Sequence, residues 1–169
     1  MSVLPATDMN TGKILAADHK HMAMLKFVGE VRVVMSSTLD NYCNSLYARG
    51  ILDAMVIDMS ETRSIDSTAL GMLAKLSIQL RNRFNVMPTI ICPSTDIARI
   101  LRGMGFEMIC RIVASVPRQQ AQYSELALQM ESEATVRDKV IDAHLTLMAM
   151  SEENRLEFQD LVSALKQQG

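Results

Sequence analysis

An α/β fold followed by a carboxy-terminal helical extension is predicted by three features of the sequence. Short apolar runs alternate with amphipathic stretches after residue 36, the order expected of parallel strands joined by helical crossovers. The last fifty residues lose the strand runs and carry two helical stripes instead. The charge changes with them. Residues 1–118 hold 13 Lys and Arg against 10 Asp and Glu, whereas residues 119–169 hold 4 against 9, which sets a boundary near Pro117.

The predicted elements follow in chain order. Residues 1–19 form a lead-in with Pro5 and Gly12, polar groups and at most a short strand. Residues 21–28 and 31–35 are predicted strands, and Gly29-Glu30 between them suits a tight hairpin. Residues 38–49 predict a helix, with Leu39, Tyr42, Cys43 and Leu46 at helical intervals and Gly50 to end it. The run Ala54 to Met59 is a buried strand. A helix then starts near residue 67, because Ala69, Met72, Leu73, Leu76 and Leu80 recur at steps that share one face. Residues 88–92 give another strand, and Ser94 opens a helix through Ile97, Ile100 and Leu101 that Gly103 and Gly105 close. Residues 109–113 supply a last strand. Val136, Val140, Ile141, Leu145 and Met148 form one stripe of the extension, and Leu156, Phe158, Leu161, Val162 and Leu165 form the other. Ser151-Glu152-Glu153 marks a fresh helix start between them.

Composition narrows the function. At 169 residues and 49% hydrophobic content the chain can bury a substantial core. A net charge of −2 gives no reason to expect direct binding to nucleic acid. Neither a signal peptide nor an apolar stretch of about 20 residues is present, so the expectation is a cytoplasmic protein that neither crosses nor binds a membrane. Cys43, Cys92 and Cys110 are an odd set without close pairs and are expected to be reduced thiols.

The stretch Asp66-Ser67-Thr68 sits where strand gives way to helix, and its side-chain oxygens can cap the helix. The same position favours added negative charge, so a phosphoryl group on Ser67 could be held there while changing what the surface attracts. A second apolar stripe, Leu70, Ala74 and Ile78, is displaced from the core-facing one and begins one turn from Ser67. It is either a partner's docking surface or the seat of the carboxy-terminal helices. With Ser67 as a nucleophile the chain would need a base, and it lacks Gly-x-Ser-x-Gly and any local spacing that identifies one. Asp18-His19-Lys20-His21 could offer two imidazoles to a metal but brings no third ligand, and no metal or cofactor is expected. His144, among apolar helical positions, reads as a partly buried helix residue.

The ordered combination of residues 56–60, residues 65–73 and Cys92-Pro93-Ser94 through Gly105-Phe106 resembles the STAS-domain anti-sigma-factor antagonists over roughly residues 20–115. The resemblance implies a mixed sheet with helices mainly on one face, at residues 20–116, and leaves residues 117–169 as an acidic helical extension. It implies that Ser67 is a phosphoacceptor, with Thr68 as the alternate. It also implies that Asp58 and Asp66 shape the acceptor site and that Ser94 caps a helix nearby. The family's partners would be an anti-sigma factor that is often itself the serine kinase, and a serine phosphatase. The unmodified form would bind, and the phosphorylated form would release. Such a protein is a kinase substrate and no enzyme. Leu70, Ala74 and Ile78 are then the candidate partner-binding residues, and the carboxy-terminal helices could pair two copies. Two positions depart from the family pattern: Ala69 stands where glycine is frequent, which stiffens the helix start, and Arg32 stands where many members have aspartate. A scaffold or adaptor of STAS type without a phosphoswitch is the alternative reading.

Overall fold

In a computed structural model the described residues are 12–117 and 121–169. Residues 1–11 of the proposed 1–19 lead-in lie outside them. Six strands form one mixed sheet: β1 (Lys13–His19), β2 (Met22–Val31), β3 (Ala54–Ile65), β4 (Thr89–Ile91), β5 (Arg111–Val113) and β6 (Ser124–Glu125). Their spatial order is β5-β4-β3-β2-β1-β6. The pairs β2/β3, β3/β4 and β4/β5 are parallel, and β1 runs antiparallel to both of its neighbours. Five α-helices accompany the sheet among the described residues: α1 (Ser36–Tyr47), α2 (Ser67–Phe84), α3 (Thr95–Gly103), α4 (Glu133–Met150) and α5 (Glu152–Gln167). The fold is the STAS-like mixed α/β architecture with a helical extension.

Alternation of side chains along the central strands builds the layers. Ala23, Leu25 and Phe27 of β2 and Met55, Ile57 and Met59 of β3 are all buried on one face, where they meet Leu39 and Leu46 of α1 and Leu73, Leu76 and Leu80 of α2. The opposite face, with Met22, Met24, Lys26, Val56 and Asp58, is only half-buried and forms a trough with Tyr123. A third layer consists of α4, which lies across α2, and α5, which packs on α4, and it contributes Leu147 and Phe158 to the same core.

Two sequence expectations are corrected. β2 runs without a break through Gly29-Glu30, where a hairpin was expected, and Val33–Met35 is a short 3-10 turn rather than strand. The register between β2 and β3 slips at Lys26/Val28 and again at Gly29/Glu30, so Gly29, with φ of 79°, serves an irregular strand and not a turn. The real hairpin joins β1 to β2 across Lys20, which adopts the left-handed conformation at φ 54°. β1, at Lys13–His19, is a strand within the expected lead-in, where a short strand was allowed. Ser151 closes α4 and caps α5, accepting from the Asn154 amide at 3.1 Å, as the Ser-Glu-Glu pattern predicts.

Candidate functional site

Asp66 fixes the start of α2. One carboxylate oxygen accepts the Ala69 amide at 2.8 Å, the bond expected of a helix cap. The other accepts the Val33 amide at 2.7 Å, and the Asp66 amide donates to the Val31 carbonyl at 3.0 Å. A single side chain thus ties the helix start to the end of β2. Ser67 is the first residue of α2 and is half-buried, while Thr68 beside it is 5% exposed. Of the two hydroxyls, Ser67 is the more accessible. At its other end α2 stops at Asn85 in the left-handed conformation, with the Val86 amide reaching back to the Leu80 carbonyl at 3.3 Å.

The Ser67 hydroxyl is not free. Its Oγ lies 2.8 Å from Nε2 of His144 on α4, a residue 1% exposed and 77 positions away in sequence. The other ring nitrogen, Nδ1, is 2.7 Å from the Val140 carbonyl, which can only accept. Nδ1 therefore carries a proton, and the corresponding neutral tautomer presents a lone pair at Nε2 that accepts the Ser67 hydroxyl. Phe158 of α5 packs against the ring edge to face, with centroids 5.0 Å apart. Sequence reasoning placed His144 in the helix interior but gave it no partner. Nothing local to either residue signals the pairing, because it depends on how α4 folds back over α2.

Gly71 lets α4 come close. A Cβ at that position would meet the Ala143 carbonyl oxygen at 2.2 Å, so the two backbones touch where the helices cross. Around this crossing Leu70 is 2% and Ala74 0% exposed, and Ile78 is half-buried. Leu70 and Ala74 are buried and α4 crosses beside them at Gly71, so in the described structure the stripe is not an open surface. Ion pairs frame the contact, Lys75 with Asp142 at 2.5 Å and Lys139 with Asp40 of α1 at 3.1 Å. The inward line of α4 is Ala143, His144 and Leu147. Leu145 on α4, and Leu156 and Leu161 on α5, face outward instead of joining buried stripes.

The remaining candidates are dispersed. Asp58 belongs to the half-buried outer face of the sheet, where its carboxylate accepts the Ser60 amide at 2.8 Å, on the side away from the helices. Ser94 caps α3, accepting from the Ile97 amide at 3.3 Å, and so serves its own helix. Only Asp66, of the expected support residues, adjoins Ser67. Among the described residues no group of three or more His, Cys, Asp and Glu could hold a metal ion, and no helix is long and apolar enough to cross a membrane. The three cysteines are free and buried. Burial pushes the Cys43 and Cys110 thiols up to about 12.

A family model described as the STAS domain matches residues 13–118, most of the chain and all of the sheet except β6. The fold is similar to the crystal structure of an anti-sigma factor antagonist from Mycobacterium paratuberculosis, with a TM-score of 0.52, 20% identity, and coverage of 63% of this chain and 89% of that one. An antisigma-factor antagonist STAS domain from Rhodobacter sphaeroides aligns at a TM-score of 0.36 and 16% identity, over 47% of this chain and 84% of that one. No curated protein sequence matches. With the family model spanning the sheet, α1, α2 and the Asp66-Ser67 helix start, the chain belongs to the STAS-domain family.

Proposed function

We propose that this protein is an anti-sigma-factor antagonist controlled at Ser67. Unmodified, it binds an anti-sigma factor or a related serine kinase through the α2 face of Leu70, Ala74 and Ile78; phosphorylated, it releases that partner; a serine phosphatase resets it. The carrying observation is a half-buried hydroxyl at the first residue of a helix, beside a capping carboxylate, in the segment that matches the family. In the modification, Ser67 Oγ attacks the γ-phosphorus of ATP held by the kinase, the bond to the ADP oxygen breaks, and the hydroxyl proton leaves to a base. The product carries about −1.5 to −2 charge at neutral pH. Unpaired helix-start amides favour that charge, whereas Asp66 and any apolar partner oppose it. Thr68 is the second acceptor. In this reading the chain is a substrate and not an enzyme, uses no cofactor and works in the cytoplasm. Residues 117–169 are a regulatory extension whose outward Leu145, Leu156 and Leu161 are where a second copy would pair.

The test is incubation with ATP and a cognate serine kinase, followed by site-resolved mass spectrometry. Phosphate on Ser67 supports the assignment, and phosphate confined to other residues overturns it. A scaffold or adaptor without a phosphoswitch is the second reading, and the covered α2 face favours it. Complex formation that survives complete Ser67 phosphorylation would select it.

A further inference from the structure

We infer that the α4–α5 hairpin is a hinged cover that competes with the partner for the α2 face, latched by the bond between Ser67 and His144. The inference rests on the reading above that this face is the docking surface. Its physical core is local opening, which is measurable without any partner.

The attachment of the segment before α4 locates the hinge. The Leu126 amide donates to the Ile14 carbonyl at 2.8 Å. Thr38 then holds the next residues from both sides, donating to the Ala127 carbonyl at 3.0 Å and accepting the Gln129 amide at 2.9 Å. The chain is therefore pinned to the sheet and to α1 as far as Gln129. Met130, the next residue, is 97% exposed, and α4 begins at Glu133. Rotation about residues 130–132 moves the hairpin without breaking a strand pair.

Beyond the hinge, the polar ties among the described residues include Ser67 with His144, Lys75 with Asp142, Lys139 with Asp40, and the Asn154 amide nitrogen on the Met104 carbonyl at 2.9 Å, beside the apolar contact of Leu147 and Phe158 with the core. The Lys75–Asp142 pair is about half exposed, where water weakens it, and the Lys139–Asp40 pair is part-buried. His144 and Asn154 are the buried polar ties. Opening bares Ser67 together with a shallow groove whose floor is the side-chain-free backbone at Gly71. That floor fits a helix bringing a small residue to the crossing, as α4 brings Ala143. The partner is thus a helix of the anti-sigma factor that replaces α4 on the same seat. While the cover is closed, Ser67 has its hydroxyl proton committed to His144, and a kinase cannot seat on α2. Phosphorylation and partner binding therefore both require the open state.

The full-length Ala74→Cys chain tests this by the rate of N-ethylmaleimide labelling, read site by site by mass spectrometry, with buried Cys110, just before β5, reporting global unfolding. Should Ala74→Cys fail to fold, Ile78→Cys at the half-buried end of the groove takes its place. The groove thiol is expected to label roughly tenfold or more faster than Cys110. Adding His144→Ala should accelerate the groove alone by about three- to tenfold, the factor one hydrogen bond supplies. Groove and core thiols labelling together in both backgrounds would overturn the inference, since the cover would then open only by unfolding. A second arm bridges Lys75→Cys to Asp142→Cys with a bis-methanethiosulfonate. The tethered chain should refuse phosphate at Ser67 and regain it after reduction, and equal phosphorylation with the tether intact would contradict the cover. If Ser67 takes no phosphate in either form, the functional reading fails by itself, and the labelling rates still decide the hinge.

Discussion

Gly71→Ala sets two opposed effects of known size against each other. In a helix interior the added methyl favours folding by about 1 kcal/mol, through restricted backbone freedom. At this position the new Cβ would lie 2.2 Å from the Ala143 carbonyl oxygen, 2.5 Å from its carbon and 2.7 Å from its Cβ. Two of those atoms are backbone, so no rotamer change relieves the clash. To regain an ordinary 3.4 Å contact α4 must back away by about 1.2 Å, the difference from the 2.2 Å approach. Overpacking of this kind costs typically about 1–3 kcal/mol, which exceeds the propensity gain over most of its range. The two terms act on different states. Propensity stabilises α2 whether or not the hairpin is docked, whereas the clash exists only when it is docked. The substitution should therefore lower global stability by about 0–2 kcal/mol in urea unfolding. It should also raise the labelling rate of a groove thiol by roughly 5- to 150-fold, the ratio that 1–3 kcal/mol implies. A higher urea midpoint with unchanged groove labelling would refute the reasoning, because α4 could not then cross α2 at Gly71.

Other perturbations follow from the same geometry. Asp66→Ala removes the cap and leaves the Ala69 and Val33 amides without their acceptor, and urea unfolding should show a loss of about 2 kcal/mol. Asn154, 2% exposed, donates to both the Met104 and Leu147 carbonyls; Asn154→Ala should cost about 1–3 kcal/mol and release α5 first, visible as faster hydrogen exchange there. Burial holds the Cys43 and Cys110 thiols neutral up to about 12, against an ordinary value of 9.0. Above pH 9 the unfolded thiols lose their protons while the folded ones keep them, so the unfolded state binds fewer protons and stability falls as pH rises. Each thiol should contribute a slope approaching about 1.4 kcal/mol per pH unit between the two values, measurable by urea titration in an alkaline series with Cys43→Ala as reference.

The central elements were legible because their residues obey one period each. Ala69, Leu73, Leu76 and Leu80 repeat at helical steps and are all buried, and Ala54 to Met59 is an apolar run, interrupted by Asp58, that became the core of β3. Asp66 was legible as a cap because the chemistry is local: a carboxylate three residues before an amide it can accept. What failed was set by distant or compensating interactions. Gly29 carries the positive φ that a turn glycine would, yet here it accommodates a slip between two parallel strands, which only pairing with β3 reveals. The true turn uses Lys20, a residue with no turn signature. Two-residue β6 has too little sequence to show a period. Asp58 was associated with Ser67 by family resemblance, but strand alternation sends its side chain to the opposite face of the sheet. His144 is the largest omission, since a histidine in a helical stripe looks alike whether it fills space or accepts a hydrogen bond from a serine 77 residues earlier.

The geometry also changes what a serine substitution means. Ser67→Ala leaves the His144 ring nitrogen buried without its donor, so this variant loosens the cover as well as removing the acceptor. It should bind a partner at least as well as the unmodified protein. Affinity of the anti-sigma partner for the full-length protein before and after stoichiometric Ser67 phosphorylation is the most direct measurement of the central claim. The account predicts that phosphorylation weakens binding by about 1–3 kcal/mol, roughly 5- to 150-fold, and that phosphatase treatment restores it. Equal affinity of the two forms, with the phosphate verified on Ser67, would contradict it.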